Sequence, residues 1–381
     1  MKELRILLVG GGSGGHVYPL IAVARSLKKK ADVSGVGLNL MMLGDGTFLE
    51  QAAKENNIPY KVISAGKLRR YWSIESIKDF LKVPISFLQS FWHIFLFMPD
   101  AVFTKGGYVS FAPAVIARLF FIPVFIHESD SIPGLSNAII GKIATKVFLS
   151  YKLAEKYFEG SDIFFTGNPV RDSLSSGDKN AAREHFNLHE QRPTILILGG
   201  SQGAKFINEV VVSSLVILTQ KFNIIHQCGQ GQYQSVKKDV DTIIMEGTQQ
   251  YATSVKVYYR NYPFLNESEM AMAFALSDIV VSRAGSGSLF EIAQAGKPAI
   301  IIPLPLPQAA GNHQYFNAFE FSNYGGVMLE EASFNRESLL REIERLLDPE
   351  TYAKISQKIK TFFIPDAPDK IAEEIFKSLN I

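Results

Sequence analysis

An α/β fold with parallel sheets is the architecture that the sequence predicts. Short apolar runs alternate along the chain with longer amphipathic stretches. Many of the runs are β-branched and apolar without alternation, as in strands buried on both faces of a sheet. The chain also repeats itself once: the strand, glycine loop and helix that begin at Ile6 recur from Ile195. We therefore predict two Rossmann-like domains, each opening with its own first strand.

Length and composition limit the possible functions. The 381 residues are enough for two or three domains, and 47% hydrophobic with 20% charged residues excludes a disordered chain. The balance of 39 basic and 37 acidic residues argues against nucleic acid as the main partner. Cys228 is the one cysteine, which excludes an internal disulfide and a cysteine metal cluster and fits a reducing cytoplasm.

The individual strands and helices follow from these patterns in order. Apolar runs predict strands at residues 6–9, 38–43, 101–104, 124–127, 147–149, 195–198, 224–226, 255–258, 279–282 and 299–302. Amphipathic stretches predict helices at residues 19–29, 204–218 and 286–295.

Domain boundaries are predicted from a polar, turn-rich stretch at residues 173–178 and a Gln-Arg-Pro sequence at 191–193. We expect an N-terminal Rossmann-like domain at residues 1–172 and a second one at 173–355. The remaining segment, 356–381, is expected to form a C-terminal helix that packs back on the N-terminal domain.

The first glycine loop, residues 10–15, lies between a predicted strand and a helix and ends at His16. Backbone N–H groups at a helix N-terminus attract phosphate, and glycines allow a ligand to approach closely. The loop satisfies G-x-G-x-x-G, but the acid expected about 20 residues on is missing, since Asp45 comes later. This counts against NAD or FAD. A structural turn with a capping histidine is the other interpretation.

His16 is the candidate catalytic residue. A histidine at a helix N-terminus feels the positive end of the helix dipole, which disfavours the imidazolium form. His16 should therefore be neutral at pH 7 and able to accept a proton.

Two further glycine loops follow predicted strands in the second half of the chain. Residues 199–204 offer N–H groups and the Ser201 hydroxyl, which suit a diphosphate, and residues 283–291 offer a helix start for the same phosphates. Glu291 lies about a turn into that helix and can accept hydrogen bonds from ribose hydroxyls. A first-turn acid that offsets the helix dipole is the alternative reading of Glu291.

The most apolar segment, residues 80–98, is interrupted by Lys82, Pro84, Gln89 and His93, so we do not expect it to cross a membrane. The N-terminus does not read as a signal peptide. Residues 85–98 are apolar almost all round at helical spacing, which is typical of a buried helix. Because residues 67–72 are basic and aromatic, a membrane-facing patch is an equal alternative.

Taken together, these motifs resemble the MurG family of UDP-N-acetylglucosamine transferases of peptidoglycan synthesis. The resemblance spans residues 10 to about 318, in the family's order. Its motifs are Gly-Gly-Gly-Ser-Gly-Gly-His-Val-Tyr-Pro at 10–19, Lys-Gly-Gly-Tyr-Val-Ser at 105–110, His-Glu at 127–128, Gly-Asn-Pro-Val-Arg at 167–171, Gly-Ser-Gln-Gly-Ala at 200–204, Arg-Ala-Gly at 283–285 with Glu291, and His313-Gln314 with Asn317-Ala318.

The resemblance implies a GT-B fold, with two Rossmann-like domains whose parallel sheets face each other across a cleft. It implies inverting transfer of N-acetylglucosamine from UDP-GlcNAc to the 4-hydroxyl of the muramyl sugar of lipid I, which gives lipid II. No metal or other cofactor is implied. The N-terminal domain would hold the lipid acceptor and the C-terminal domain the UDP-sugar. The protein would be cytoplasmic and bound peripherally to the inner face of the cell membrane.

The same resemblance implies roles for individual residues. His16 would be the base, Arg171 and Ser201 would contact the diphosphate, and Glu291 would hold the ribose. The other residues implied in substrate binding are Ser13, Gly14, Gly15, Tyr108, His127, Glu128, Asp130, Leu265 (to uracil), Ser286, Gly287, Ser288, Leu289, Phe290, His313 and Gln314.

Two features depart from the family pattern. Where the family usually has His-Glu-Gln-Asn, this chain has Ser129 and Asp130 after His127-Glu128, and a carboxylate cannot donate as an amide does. The proline-rich stretch 303–308 is also unusual. The alternatives are a related transferase with another UDP-sugar or lipid acceptor, a UDP-GlcNAc 2-epimerase, and a sugar-nucleotide binding module without activity.

Overall fold

The computed structural model describes residues 3–12, 14–66, 74–171, 174, 177–188, 192–200, 203–306 and 312–381, with only the backbone for 74–81. Two parallel sheets organise the chain, one of seven strands and one of six. The chain divides into two compact units. Unit 1 comprises Met1–Val170 and Ile364–Ile381, and unit 2 comprises Arg171–Phe363. The predicted α/β class with two parallel-sheet Rossmann-like domains is confirmed.

The sheet of unit 1 has the strand order β3-β2-β1-β4-β5-β6-β7. Its strands are β1 (Glu3–Gly11), β2 (Gly37–Asp45), β3 (Tyr60–Val62), β4 (Ala101–Thr104), β5 (Val124–Glu128), β6 (Lys146–Leu149) and β7 (Ile163–Phe165). The helices between them are α1 (Gly14–Ser34), α2 (Thr47–Glu55), α3 (Ile74–Phe97), α4 (Phe111–Leu119) and α5 (Leu135–Gly141), with 3-10 turns at Tyr108–Ser110 and Lys152–Tyr157.

The central strand β1 explains why its sequence is apolar without alternation. Ile6 and Leu8 lie in the core on one face of the sheet, whereas Leu7 and Val9 lie in the core on the other. Successive side chains of a strand point to opposite faces, so a strand covered by helices on both sides must be apolar at every position.

The sheet of unit 2 has the strand order β10-β9-β8-β11-β12-β13. Its elements are α6 (Lys179–Phe186), β8 (Thr194–Leu198), α7 (Lys205–Lys221), β9 (Asn223–Gln227), α8 (Tyr233–Glu246), α9 (Gln249–Tyr258), β10 (Tyr259–Tyr262), α10 (Glu267–Leu276), β11 (Ile279–Ser282), α11 (Ser286–Ala295), β12 (Ala299–Ile301), α12 (His313–Ser322), β13 (Val327–Met328), α13 (Arg336–Leu347) and α14 (Pro349–Lys360).

The last helix, α15 (Ala367–Ser378), belongs to unit 1, where it packs against α1. Ile371, Ile375 and Phe376 are buried in the same core as β1. At the edge of this contact the Lys29 ammonium lies 3.1 Å from the Asp369 carboxylate. The chain therefore passes from unit 1 to unit 2 at Arg171 and back to unit 1 after Phe363, whereas the sequence-based boundaries lie at 172 and 355.

One predicted strand is wrong. Residues 255–258 form the last turn of α9, and β10 follows directly at Tyr259. The Thr248 side chain accepts a hydrogen bond from the Tyr251 N–H and so caps the start of α9. This turn is rich in β-branched and aromatic residues, which favour strands. It is nevertheless helical, because capping and packing outweigh intrinsic propensity. The sequence also gave no sign of β3, β7 and β13, which have two or three residues each.

Among the helices that the structure describes, none has the length and apolar character needed to cross a membrane. The predicted helix at 80–98 forms part of α3, which begins earlier, at Ile74. The basic and aromatic segment 67–72 lies outside the described residues.

Candidate functional site

The first glycine loop joins β1 to α1 at the carboxyl edge of the sheet in unit 1. Gly12 has φ 81°, a left-handed conformation that glycine adopts without strain. Gly14, Gly15 and His16 are the first residues of α1, so their N–H groups lack partners within the helix. This is the arrangement that binds an anionic group. Ser13 lies outside the described residues.

His16 is partly buried in this loop, and its ring lies beside the backbone of a second glycine loop. A Cβ atom at Gly107 would be 3.4 Å from the ring atoms Cδ2 and Nε2 of His16. Burial, followed by the charge of Lys105, lowers the pKa of His16 to about 4, and the charge of Asp130 opposes both. His16 is therefore neutral at pH 7. The sequence argument attributed this to the helix dipole, whereas burial and Lys105 are the causes in the structure.

The second glycine loop follows β4 and leads into the 3-10 turn at Tyr108–Ser110. Gly106 and Gly107 both have φ above 80°, and the Gly107 N–H donates to the Asn137 side chain at 2.9 Å. The Tyr108 hydroxyl donates to Asp45 Oδ2 at 2.8 Å. Asp45, which ends β2, thus holds a residue implied in substrate binding, a role that no sequence motif predicted for it.

His127 and Glu128 end β5, and both are buried with protein partners. His127 Nε2 lies 2.9 Å from the Gly167 carbonyl, so this nitrogen carries the proton and donates it. Burial, followed by the charge of Lys105, lowers the pKa of His127 well below its usual value. Glu128 accepts hydrogen bonds from the Asp130 N–H at 2.8 Å and from the Asn137 amide at 2.7 Å.

Glu128 therefore holds two other residues of the site in place through hydrogen bonds. It fixes the backbone of Asp130, which acts electrostatically on His16, and it orients Asn137, which in turn holds the second glycine loop. Asn137 and Lys105 are the residues near His16 that the sequence argument did not select. The signal for Lys105 was its position, directly after a buried strand and before two glycines.

In unit 2, Arg171 and Glu291 form an ion pair with little solvent exposure. The Arg171 Nε and Nη2 groups donate to the same oxygen, Glu291 Oε1, at 2.9 and 2.7 Å. Glu291 lies on the second turn of α11, as the sequence predicted. Both hydrogen bonds end on Oε1, so neither occupies the second carboxylate oxygen, Oε2.

A cavity of about 610 Å³ opens at the carboxyl edge of the same sheet. The glycine loop after β8 forms one side, the loop before α11 forms another, and Ser288 and Gln314 contribute to its lining. Arg283 also lines the cavity, where its guanidinium is paired with Glu331. Ser201 and residues 307–311 lie outside the described residues.

Several residues implied in substrate binding point elsewhere or have protein partners. Leu289 and Phe290 are buried, and the Phe290 ring packs against Phe362 with centroids 4.6 Å apart. Ser286 and Gly287 begin α11, so their backbone N–H groups lie in its first turn. Leu265 is buried, and its N–H donates to Gln227 Oε1 at 3.2 Å, which occupies the group expected to contact uracil.

His313 and Gln314 begin α12. Gln314 Oε1 accepts a hydrogen bond from the Leu304 N–H at 3.2 Å, which fixes its side chain beside the cavity. Among the described residues no group of three or more His, Cys, Asp and Glu side chains is arranged to hold a metal ion.

Comparison with known proteins also divides the chain into two domains, although the second match extends to residue 371, into α15 of unit 1. The glycosyltransferase family 28 N-terminal domain matches residues 6–149, and the family 28 C-terminal domain matches residues 194–371. The chain is 35% identical over 379 residues to the UDP-N-acetylglucosamine–N-acetylmuramyl-(pentapeptide) pyrophosphoryl-undecaprenol N-acetylglucosamine transferase of Legionella pneumophila (strain Paris). That alignment covers 99% of this chain and 97% of the relative.

Solved structures agree with this comparison. The crystal structure of Acinetobacter baumannii MurG superposes with a TM-score of 0.71 at 26% identity, covering 99% of this chain and 100% of that one. A putative UDP-N-acetylglucosamine 2-epimerase from Listeria monocytogenes also gives a TM-score of 0.71, over 99% and 97% of the two chains, but at 15% identity. The second likeness shows a shared fold alone.

Proposed function

This chain belongs to glycosyltransferase family 28, within the MurG family, and on that premise we infer that it is an N-acetylglucosaminyltransferase that moves N-acetylglucosamine from UDP-GlcNAc to lipid I in peptidoglycan synthesis. The observation that carries the inference is the 35% identity to a transferase of this activity over 99% of the chain. The 2-epimerase alternative has weaker support, because the epimerase likeness is limited to the fold.

In this proposal unit 2 binds the nucleotide sugar. Its cavity of about 610 Å³ has glycine-loop N–H groups on two sides, which suit a diphosphate. Arg171 would supply positive charge to the phosphates, and the Oε2 atom of Glu291 would accept from the ribose. Gln314 would read hydroxyls of the sugar. As the sugar–phosphate bond breaks, preorganised N–H groups and a guanidinium stabilise the charge that develops on UDP.

Unit 1 would bind the acceptor and hold the base. The neutral His16 ring accepts the proton of the muramyl 4-hydroxyl while the hydroxyl oxygen bonds to the anomeric carbon and UDP leaves with the bonding electrons. A neutral imidazole can accept this proton. His16 is also at the start of α1, beside backbone N–H groups that suit the phosphates of the substrate. Tyr108, fixed by Asp45, would contact the acceptor beside it.

We propose that the reaction needs no metal. In this mechanism Arg171 and the N–H groups at the start of α11 supply the charge stabilisation that a divalent cation provides in other nucleotide enzymes. The transfer rate should then be the same in EDTA as in buffer with Mg²⁺. A loss of activity in EDTA that Mg²⁺ restores would contradict this part of the proposal.

We also propose that unit 1 binds the inner face of the cell membrane through an aromatic face on α3 and the turn after α4. The aromatic face comprises Leu88, Phe91, Trp92, Phe95, Leu96 and Phe121, all exposed by more than 40%. Phe121, with 92% exposure and φ 58°, presents an apolar ring to solvent in a conformation that costs energy for a non-glycine residue. A lipid-linked acceptor makes such a surface useful.

Release of UDP tests the proposed function. The purified protein is incubated with UDP-GlcNAc, with and without a lipid I analogue, and both UDP and the disaccharide product are measured. We expect UDP release only when the acceptor is present. Formation of UDP-N-acetylmannosamine without an acceptor would indicate the epimerase, and tight UDP-GlcNAc binding without any reaction would indicate a binding module.

A further inference from the structure

A lysine that the proposed mechanism does not use is enclosed at the carboxyl edge of the sheet in unit 1. Lys105 follows β4 directly and is 2% exposed. Its Nζ atom is buried and has no hydrogen-bond partner among the residues that the structure describes. Such an ammonium is costly, because it has lost its water and gained no acceptor. A costly charge beside a reaction site is a sign of function.

The groups around Lys105 come from β5 and the turn that follows it. Burial lowers the pKa of Lys105, and the charges of Glu128 and Asp130 oppose this by favouring the ammonium. Burial and the charge of Asp130 raise the pKa of Glu128. The His127 ring also feels the charge of Lys105. Lys105 is thus the cation of a buried cluster that contains two carboxyl groups.

The opposed charges of this cluster both act on His16. Lys105, from the end of β4, disfavours the imidazolium form of His16, and Asp130, from the turn after β5, favours it. The other polar groups of the loop, Tyr108 and Asp45, are hydrogen-bonded to each other. Removing either charge of the opposed pair should therefore shift the pKa of His16 in a predictable direction.

We propose that Lys105 is a positioning residue of the transfer reaction, and that it works against Asp130 to keep His16 in the proton-accepting form. The inference rests on the proposed function, in which His16 takes the proton of the acceptor hydroxyl. Lys105 acts through His16, since its own Nζ is enclosed by protein. The buried charge lowers the stability of the folded protein. In return, His16 is already in its proton-accepting form before the acceptor binds.

The direct test is an NMR titration of His16 in the unliganded protein with labelled histidine, where His16→Gln identifies the signal. We expect Lys105→Met to raise the pKa of His16 and Asp130→Asn to lower it. In the double variant Lys105→Met/Asp130→Asn the pKa of His16 should return close to that of the original protein, because both opposing charges are gone. An unchanged His16 titration in Lys105→Met would overturn the proposal.

Kinetics give a second readout that a purely structural role would not move. We expect the ratio of kcat/KM between the original protein and Lys105→Met to grow as the pH falls from 8 to 5.5. The growth stays below about tenfold at pH 5.5, the limit that an ordinary histidine pKa of about 6.5 would set, because burial continues to lower the pKa of His16 in the variant. A ratio that stays constant with pH would reduce Lys105 to a structural residue. The double variant should restore the original pH dependence.

Lys146→Met is the matched control, since it removes another lysine from the same sheet. Lys146 on β6 lies 3.3 Å from the Asp162 carboxylate and also pairs with Glu374. The loss of Lys146 should lower the melting temperature and leave the pH dependence of kcat/KM unchanged. Lys105→Met should instead change the pH dependence of kcat/KM, whatever it does to the melting temperature, because its loss removes a buried charge but also deprives Glu128 and Asp130 of that cation.

The variants remain informative if Lys105→Met does not fold. Asp130→Asn alone must then leave His16 unprotonated down to the lowest pH at which the protein stays folded, and protonation at a higher pH than in the original protein would overturn the proposal. Failure of the proposed function looks different. If His16→Ala transfers sugar at a normal rate, the base assignment fails, whatever the NMR titration shows.

Discussion

Arg171 and Glu291, 120 residues apart in the chain, hold each other through two hydrogen bonds to one carboxylate oxygen. The sequence implied separate tasks for them, Arg171 at the diphosphate and Glu291 at the ribose. In the structure each also fixes the geometry of the other. The two proposed contacts to the nucleotide would therefore be coupled. A change at either residue should disturb both ends of the bound nucleoside diphosphate.

We therefore expect Glu291→Gln to weaken UDP binding by roughly 10- to 100-fold, the usual effect of losing hydrogen bonds to a charged group. It should also destabilise unit 2 by about 3 kcal/mol, because the little-exposed Arg171 guanidinium loses the charged acceptor of two hydrogen bonds. Calorimetry with UDP and urea unfolding measure the two effects.

Glu344→Gln is the control for this change. Glu344 pairs with Lys221 at 2.6 Å, but both side chains are about half exposed, so its loss should cost less than about 1 kcal/mol and leave UDP binding intact. If Glu291→Gln behaves like Glu344→Gln in both measurements, the coupling of Arg171 and Glu291 has no functional weight.

His16→Ala should keep UDP-GlcNAc binding and lower turnover by about 10²- to 10⁴-fold, the usual range for removal of a general base. In the proposed function the nucleotide binds to unit 2, so its binding should not depend on the base in unit 1. Turnover with saturating acceptor and equilibrium binding of UDP-GlcNAc distinguish the two. His185→Ala, which removes a more exposed histidine beside Glu269, should be near normal in both. Near-normal turnover of His16→Ala would remove it from this role.

The triple variant Leu88→Ser, Trp92→Ser, Leu96→Ser should lose binding to anionic vesicles while its melting temperature changes by only a few degrees. These side chains are 72%, 57% and 62% exposed and lie along one face of α3. Phe87→Ser is the contrasting control, because Phe87 packs against the core and its ring meets Phe111 edge-on. That variant should lose stability and keep vesicle binding. Unchanged vesicle flotation of the triple variant would rule out this face.

The stability of unit 2 should fall on acidification between pH 6.5 and 5.5. Burial lowers the pKa of His226 to about 3, and the ring is held by Tyr259 and Asn208 at 2.9 Å each. Below pH 6.5 the unfolded chain binds a proton that the folded chain refuses, so stability is complete above 6.5 and declines below it. One such histidine costs about 1 kcal/mol between pH 6.5 and 5.5.

Cys228 allows this loss to be measured in unit 2 alone. It is the single cysteine of the chain and is buried two residues after His226. Thiol labelling in urea, normalised to the rate of the unfolded chain at the same pH, reports the opening free energy. His226→Gln should be less stable at pH 7.5 and lose less stability on acidification. Parallel pH dependence in the two proteins would assign the effect to other groups.

Elements buried on both faces were the predictable part of the fold. The runs at 101–104 and 279–282 match β4 and β11 residue for residue, because a continuous β-branched or aromatic run has few other solutions. The error at 255–258 arose where a β-like composition met a capped helix. There the start of the strand at Tyr259 depended on the pairing of β10 with β9, whose partner residues are about 35 positions apart in the chain. No local sequence pattern contains that contact.

The site was predictable where a motif contains its own geometry. The glycine loop that ends in His16 lies between a strand and a helix in the sequence itself, and the structure places it there. The environment of His16 was not predictable in the same way. Lys105 and Asp130, which act on its charge, come from the segments that follow two other strands, β4 and β5. The burial that costs Lys105 its water exists only after the sheet has formed.

The return of α15 to unit 1 sets an order for folding during synthesis. Unit 2 is continuous from Arg171 to Phe363, so it can fold as soon as it leaves the ribosome. Unit 1 needs Ile371, Ile375 and Phe376 to complete the core around β1. The half of the protein that is translated first is therefore completed last, and its unfilled apolar core is the surface that a chaperone would have to shield while unit 2 is being made.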